Sequence, residues 1–138
     1  MVLLVVGCFL FFYKLGNLPL LDPDEPRYAE VAREMGERGD FLIPYFNYTP
    51  RLKKPPLFYW LVFLSSKLFG INEFSARFPS AFFALVGVFL TYLIGAHLFS
   101  SFSGFLSALI LATSLEYLVI SRLAITDMTL CFFFLSAV

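Results

Sequence analysis

Residues 78–96 read FPSAFFALVGVFLTYLIGA, a run of 19 residues without a charged side chain. At 1.5 Å of rise per residue, such a run makes a helix of about 28 Å, close to the hydrocarbon thickness of a bilayer. The composition agrees, because 59% of the 138 residues are hydrophobic, 14% are charged and the mean hydropathy is +0.81. Soluble domains average about 25% charged residues. The sequence therefore predicts an all-α membrane protein.

Three further apolar segments predict additional membrane-spanning helices, at residues 1–21, 102–120 and 128–138. The first reaches spanning length only across Lys14 and Pro19, and it lacks the basic start and small-residue cleavage site of a signal peptide. Because the last run is still apolar at Val138, we expect a truncated chain. The predicted fold is a polytopic helical bundle.

The charged residues gather in one polar block between these apolar segments. Seven of the ten acids lie from Asp22 to Asp40, and six of the ten bases lie from Arg27 to Lys54. Chemistry is expected in this block. The net charge is zero, so there is no basic surplus for a nucleic-acid partner. The sequence contains no P-loop, dinucleotide fingerprint or metal-ligand cluster, so no cofactor is expected and a divalent metal is not indicated.

The predicted loop over residues 22–77 contains an amphipathic helix suited to a membrane surface. One face carries apolar residues at helical spacing, whereas the opposite face, which includes Glu34, is charged; the apolar residues are Tyr28, Val31, Ala32 and Met35. Asp24 or Glu25 is a candidate N-cap, and Gly39 is a plausible stop. Opposite charges four residues apart predict the pairs Arg33–Glu37 and Glu34–Arg38.

A second short helix is predicted from Leu57 to Phe69, between Pro56 and Gly70. Its 13 residues are too few to span a bilayer. We expect a re-entrant or interfacial helix with Tyr59 and Trp60 at the level of the lipid headgroups.

The number of crossings places two acidic residues on one membrane face. If residues 1–21 span, residues 57–69 do not, and the next two segments do, Asp24 and Asp127 emerge on the same side. The positive-inside rule would draw the basic block to the cytoplasm. A location outside therefore requires a functional reason, and phosphate binding would be one.

Each candidate residue has a structural and a functional interpretation. Asp24 is either an acid favoured by the helix dipole or a general base that takes a proton from an attacking hydroxyl. Lys53, Lys54 and Arg27 either contact anionic lipid headgroups or clamp a leaving phosphate. Asp127 either caps the helix that follows it or shares a polar site with Asp24.

Four motifs follow one another in order: DPDEPRYAEVAREM at 22–35, GDFLIPYFN at 39–47, TPRLKKPPLFYW at 49–60 and KLFGINEFSARFPSA at 67–81. Together they resemble the first extracytoplasmic loop of a known family, the aminoarabinose-transferase-like glycosyltransferases. This family stands beside the protein O-mannosyltransferases in the membrane-embedded GT-C superfamily. The resemblance is detailed from Leu21 to Ser80 and looser to Val138. It implies that residues 1–138 are the N-terminal part of a GT-C-like transmembrane domain with juxtamembrane helices.

The resemblance also implies a function and a set of site residues. Such enzymes are inverting transferases that move a sugar from a polyprenyl-phosphate carrier to a lipid, glycan or protein acceptor at the outer face of the plasma membrane. Asp24 and Asp127 correspond to acidic catalytic positions, and Lys54 corresponds to the lysine near the carrier phosphate. The expected substrate-binding residues are Glu25, Arg27, Tyr28, Lys53, Lys54 and Tyr59.

One departure separates this chain from the aminoarabinose branch. That branch has an acidic residue directly before the lysine, whereas this chain has Lys53. The resemblance therefore does not assign the aminoarabinose donor or the lipid A acceptor. Two alternatives remain open: a non-catalytic membrane protein that binds lipid phosphates, and an inactive truncated fragment.

Overall fold

The chain folds into helices and one short hairpin over residues 2–21, 23–50 and 54–138, which a computed structural model describes. In chain order the elements are α1 (Val2–Phe12), α2 (Asp24–Arg38), β1 (Tyr45–Phe46), β2 (Thr49–Pro50), α3 (Leu57–Phe69), α4 (Glu73–Leu98), α5 (Ser101–Thr113), α6 (Leu115–Ser121) and α7 (Asp127–Ser136). The strands pair antiparallel, with Tyr45 opposite Pro50. Helices dominate these ranges, which confirms the predicted helical class.

The central element is α4, which packs against α1, α3, α5 and α7. A capping box begins it ahead of the predicted run: the Asn72 side chain accepts from the Ser75 N–H, and the Ser75 hydroxyl accepts from the Asn72 N–H. The 26-residue helix contains all of residues 78–96. Among the described residues it is the single helix that is long and apolar enough to cross a bilayer.

The predicted helix over residues 102–120 is broken into α5 and α6, which meet at an angle of 64°. Ser114 causes the break, because its backbone is extended and its hydroxyl accepts a hydrogen bond from the Tyr117 N–H at the start of α6. If the bent pair counts as one span, the described ranges hold two helices that satisfy the length and composition of a crossing.

The first helix is shorter than predicted, because α1 ends at Phe12 rather than near residue 21. Lys14 adopts a left-handed backbone conformation (φ 53°), which is incompatible with a continuing helix. The freed carbonyl groups find side-chain donors instead. Arg122 donates to the carbonyls of Leu10 and Tyr13, at 2.9 and 2.8 Å.

Helix α2 confirms the predicted amphipathic segment and its end at Gly39, which is left-handed (φ 69°). The predicted N-cap is wrong, because the cap position is Pro23 and the acids lie in the first turn. Glu34 is also misassigned to the charged face. It is buried, and its carboxylate accepts from the Tyr48 N–H of the hairpin rather than pairing with Arg38.

Helix α3 has the predicted bounds, but Tyr59 does not lie at a surface. Its ring is buried against Tyr28, with 5.7 Å between ring centroids. Neighbouring Trp60 remains partly exposed and donates its indole N–H to the Phe41 carbonyl. Tyr59 therefore belongs to the apolar core between α2 and α3.

A close approach of α4 and α5 generates the first prediction. A Cβ added at Gly104 would lie 2.5 Å from the Tyr92 carbonyl oxygen and 2.6 Å from the Ala96 nitrogen. Backbone atoms cannot move aside as a flexible side chain would, so Gly104→Ala should cost about 1–3 kcal/mol of unfolding free energy. Thermal melting of the detergent-solubilised protein checks this, with the exposed Ser107→Ala as control. Equal melting temperatures for the two variants would contradict the packing.

Candidate functional site

Lys54 is the centre of a polar site formed by three separate parts of the chain. Its ammonium donates to the Tyr28 hydroxyl on α2 and to the Thr126 hydroxyl before α7, the latter at 3.4 Å. The hydrogen bond with Tyr28 raises the pKa of Lys54 above its ordinary value, partial burial opposes this, and Asp127 and Asp24 add to the increase. Lys54 therefore carries a fixed positive charge.

The two predicted catalytic acids both lie near this lysine. Asp24 is in the first turn of α2, where it is 62% exposed, and it accepts from Arg27 at 3.2 Å. Asp127 is the first residue of α7 and accepts a 3.4 Å hydrogen bond from the Thr126 hydroxyl. Both carboxylates are close enough to Lys54 to raise its pKa. Lys54 thus interacts electrostatically with acids from α2 and α7 that are distant from it in sequence.

An apolar cavity of about 170 Å³ adjoins the charged groups and shares Thr126 with them. Its walls come from the start of α3 and from α7, and they are Pro55, Leu57, Phe58, Thr126, Thr129, Leu130 and Phe133. A cation beside an apolar slot matches an amphiphile with an anionic head.

Glu25 is buried, whereas the predicted phosphate ligands Arg27 and Lys54 are partly or largely exposed. It is 2% exposed and forms an ion pair with Arg77 at 2.7 Å. Its carboxylate also accepts from the N–H groups of Leu21 and Ala124, both at 2.7 Å. Burial disfavours its ionisation, but these hydrogen bonds outweigh burial and hold the pKa of the Glu25 carboxyl below its ordinary value. Glu25 faces the interior rather than the open site.

Arg77 is a site component that sequence reasoning missed. Besides Glu25, its guanidinium donates to the carbonyls of Leu15, Leu18 and Pro19, at 2.8–3.0 Å. The available signal was a single arginine at the start of the longest apolar run, a place where an unpaired charge is costly.

Three further residues were predicted to bind substrate: Tyr28, Tyr59 and Lys53. Tyr28 contacts Lys54 directly. Tyr59 is buried against the Tyr28 ring, so it supports that ring and does not face a substrate. Lys53, predicted as a phosphate ligand, lies outside the described residues. Among the residues the structure covers, no three acidic, histidine or cysteine side chains gather as a metal site would require.

Comparison with known proteins decides the family. The profile of a family described as dolichyl-phosphate-mannose-protein mannosyltransferase matches residues 53–138. The chain belongs to this family. An undecaprenyl phosphate-α-4-amino-4-deoxy-L-arabinose arabinosyl transferase of Pectobacterium carotovorum is 35% identical over 127 residues, which are 91% of this chain and 23% of that protein. An uncharacterised protein of Aquifex aeolicus is 39% identical over 137 residues, or 96% of this chain and 27% of its own.

The fold gives the same assignment. The crystal structure of ArnT from Cupriavidus metallidurans bound to undecaprenyl phosphate superposes with a TM-score of 0.91 and 28% identity, over 97% of this chain and 25% of that one. These matches confirm the resemblance to aminoarabinose-transferase-like membrane glycosyltransferases of the GT-C superfamily. The chain spans about a quarter of the length of these relatives.

The depressed pKa of Glu25 predicts a pH-dependent stability. Since the folded pKa lies below the ordinary 4.5, the ion pair stabilises the fold fully above pH 4.5, and this stability is lost as pH falls through the folded pKa. At neutral pH, Glu25→Gln should cost about 3–5 kcal/mol by leaving Arg77 buried and unpaired. The difference in melting temperature between wild type and Glu25→Gln should shrink below pH 4.5. A difference independent of pH would contradict the ionised state.

Proposed function

We propose that this protein is an inverting glycosyltransferase that takes a sugar from a polyprenyl-phosphate carrier and passes it to a lipid, glycan or protein acceptor at the outer membrane face. The observation that carries the proposal is Lys54, which contacts Tyr28, interacts electrostatically with Asp24 and Asp127, and adjoins an apolar slot. A polyprenyl phosphate has the matching parts, an anionic head and an apolar tail. The ArnT structure with undecaprenyl phosphate bound supports the carrier class.

In the proposed reaction Asp24 acts as general base. Its carboxylate takes the proton from an acceptor hydroxyl or amine, which attacks the anomeric carbon from the side opposite the phosphate. The bond between the anomeric carbon and the phosphate oxygen breaks, and the electron pair leaves with the polyprenyl phosphate. A single displacement of this kind inverts the anomeric centre.

The cations and the second acid have separate roles in this mechanism. Lys54 and Arg27 stabilise the negative charge that develops on the leaving phosphate, because fixed charges aimed at that position need no reorganisation during the reaction. Asp127, at the start of α7, orients the acceptor or the base. Asp24 is well exposed, which is what an external acceptor requires.

The rival function is binding of lipid phosphates without catalysis. Lys54 and the apolar slot would serve either function, so they do not separate the two. Asp24 does, because only a transferase needs a base at that position. The similarity to undecaprenyl phosphate-α-4-amino-4-deoxy-L-arabinose arabinosyl transferases favours the transferase.

Asp24→Asn should lower sugar transfer about 10²–10³-fold, because it removes the base while preserving side-chain size. The assay follows release of undecaprenyl phosphate from a panel of undecaprenyl-phosphate sugars, including 4-amino-4-deoxy-L-arabinose, in vesicles that hold the protein and total membrane lipid as acceptor. Glu37→Gln is the matched control, since Glu37 is an exposed acid that pairs with Arg33 on the same helix. Wild-type turnover by Asp24→Asn would refute the catalytic role.

Lys54→Ala should weaken binding of undecaprenyl phosphate. A hydrogen bond to a charged group contributes about 1.5–3 kcal/mol, which corresponds to a roughly 10–100-fold increase in Kd. Binding is measured by native mass spectrometry of the detergent-solubilised protein. Lys67→Ala is the control, because Lys67 lies near the other end of α3 beside the Phe63 ring. An unchanged Kd for Lys54→Ala would place the phosphate elsewhere.

A further inference from the structure

We infer that Glu25 is a positioning residue: one buried carboxylate joins the segment that leads into Asp24 to the loop that leads into Asp127, and it sets the spacing of the two acids. This inference rests on the proposed function, because it deepens the account of the same site. It assigns Glu25 a role distinct from contact with substrate.

The four hydrogen bonds to Glu25 are divided evenly between its two oxygens. Oε1 accepts from Arg77 Nε at 2.8 Å and from the Ala124 N–H at 2.7 Å. Oε2 accepts from Arg77 Nη2 at 2.7 Å and from the Leu21 N–H at 2.7 Å. Each oxygen therefore joins the guanidinium to one backbone segment.

The two backbone donors lie at equivalent places relative to the catalytic candidates. Leu21 lies three residues before Asp24, and Ala124 lies three residues before Asp127. Ala124 is fully buried in the short connection between α6 and α7. A displacement of either donor would move the acid that follows it.

Arg77 connects this arrangement to the long helix of the fold. It belongs to α4, and it also binds three carbonyl groups in the segment that leaves α1. Through Arg77, the segments before Asp24 and Asp127 are both anchored to α4, which packs against most of the other helices.

A neutral amide cannot replace this carboxylate. Because both oxygens accept two donors, either orientation of a glutamine side chain directs its NH₂ group at one guanidinium N–H and one backbone N–H. One of the two segments must then lose its acceptor. A shift of about 1 Å at a reacting group costs on the order of 10²-fold in rate.

A purely stabilising ion pair is the competing explanation, and a second buried glutamate on α2 provides the control. Glu34 is 1% exposed, and its carboxylate accepts from the Tyr48 N–H in the hairpin, away from the α6–α7 connection. Glu34→Gln therefore perturbs a buried acid of the same helix without touching the link between Asp24 and Asp127.

The experiment compares Glu25→Gln with Glu34→Gln in the intact protein in detergent. Hydrogen exchange of the Ala124 and Leu21 amides is read by mass spectrometry, and kcat and KM are read from release of undecaprenyl phosphate from the panel donor that the wild type uses. We expect Glu25→Gln to speed exchange of one of these two amides at least tenfold and to lower kcat about 10²-fold. KM should stay within about threefold, because the Lys54–Tyr28 contact is untouched. Glu34→Gln should change neither Ala124 exchange nor kcat.

Should Glu25→Gln fail to fold, the double variant Glu25→Gln, Arg77→Met removes the uncompensated buried charge, while the glutamine still leaves one of the two backbone N–H groups without its acceptor. It should fold, yet retain fast exchange of the Ala124 or the Leu21 amide and low kcat. Wild-type exchange of both amides, a wild-type kcat, or an equal loss of kcat in Glu34→Gln would overturn the inference. A wild-type protein that releases no undecaprenyl phosphate from any panel donor would refute the proposed function, whereas the exchange data would still decide whether Glu25 holds the loop.

Discussion

The ion pair of Glu25 and Arg77 is the constraint on which the arrangement of this chain depends. Two charges that are 2% and 4% exposed remain in the interior only because every oxygen of the carboxylate and the guanidinium nitrogens find partners. Those partners are backbone groups after α1, before α2 and before α7. Replacing a buried pair with apolar residues is often neutral for stability, so the value of this pair lies in the geometry that it imposes.

That geometry explains why a polar site exists on an otherwise apolar chain. Helix α4 is long enough to cross a bilayer. Arg77, near its start, binds Glu25 and the segment that follows α1. Helices α2 and α3 pack their apolar faces against each other, which buries Tyr59 and leaves the Tyr28 hydroxyl available to Lys54. The charged groups therefore lie on a supported surface beside the apolar slot.

Much of the helical structure follows from local sequence rules, whereas the packing of single polar residues does not. Gly39 predicted the end of α2 correctly, and Pro56 and Gly70 predicted the two ends of α3, because glycine and proline restrict helix formation through their own backbone conformation. The break at Ser114 was missed, because a capping hydroxyl does not stand out within an apolar run. The early end of α1 was missed, because the predicted span was extended across Lys14, whose left-handed backbone ends the helix. Glu25, Glu34 and Arg77 were assigned no buried partners, since their partners lie far away in sequence. Counting crossings predicted one membrane face for Asp24 and Asp127, although residues 1–21 and 102–120 do not form the continuous helices that the count assumed. Both acids contribute to the raised pKa of Lys54.

In the proposed mechanism, Lys54 holds the phosphate of a polyprenyl carrier. A cryo-electron microscopy structure of the intact protein with undecaprenyl phosphate would locate that phosphate. We expect phosphate density within about 3 Å of the Lys54 ammonium, with the first isoprene units in the slot between α3 and α7. Phosphate density away from Lys54, with the Lys54–Tyr28 contact unchanged and the slot empty, would contradict it.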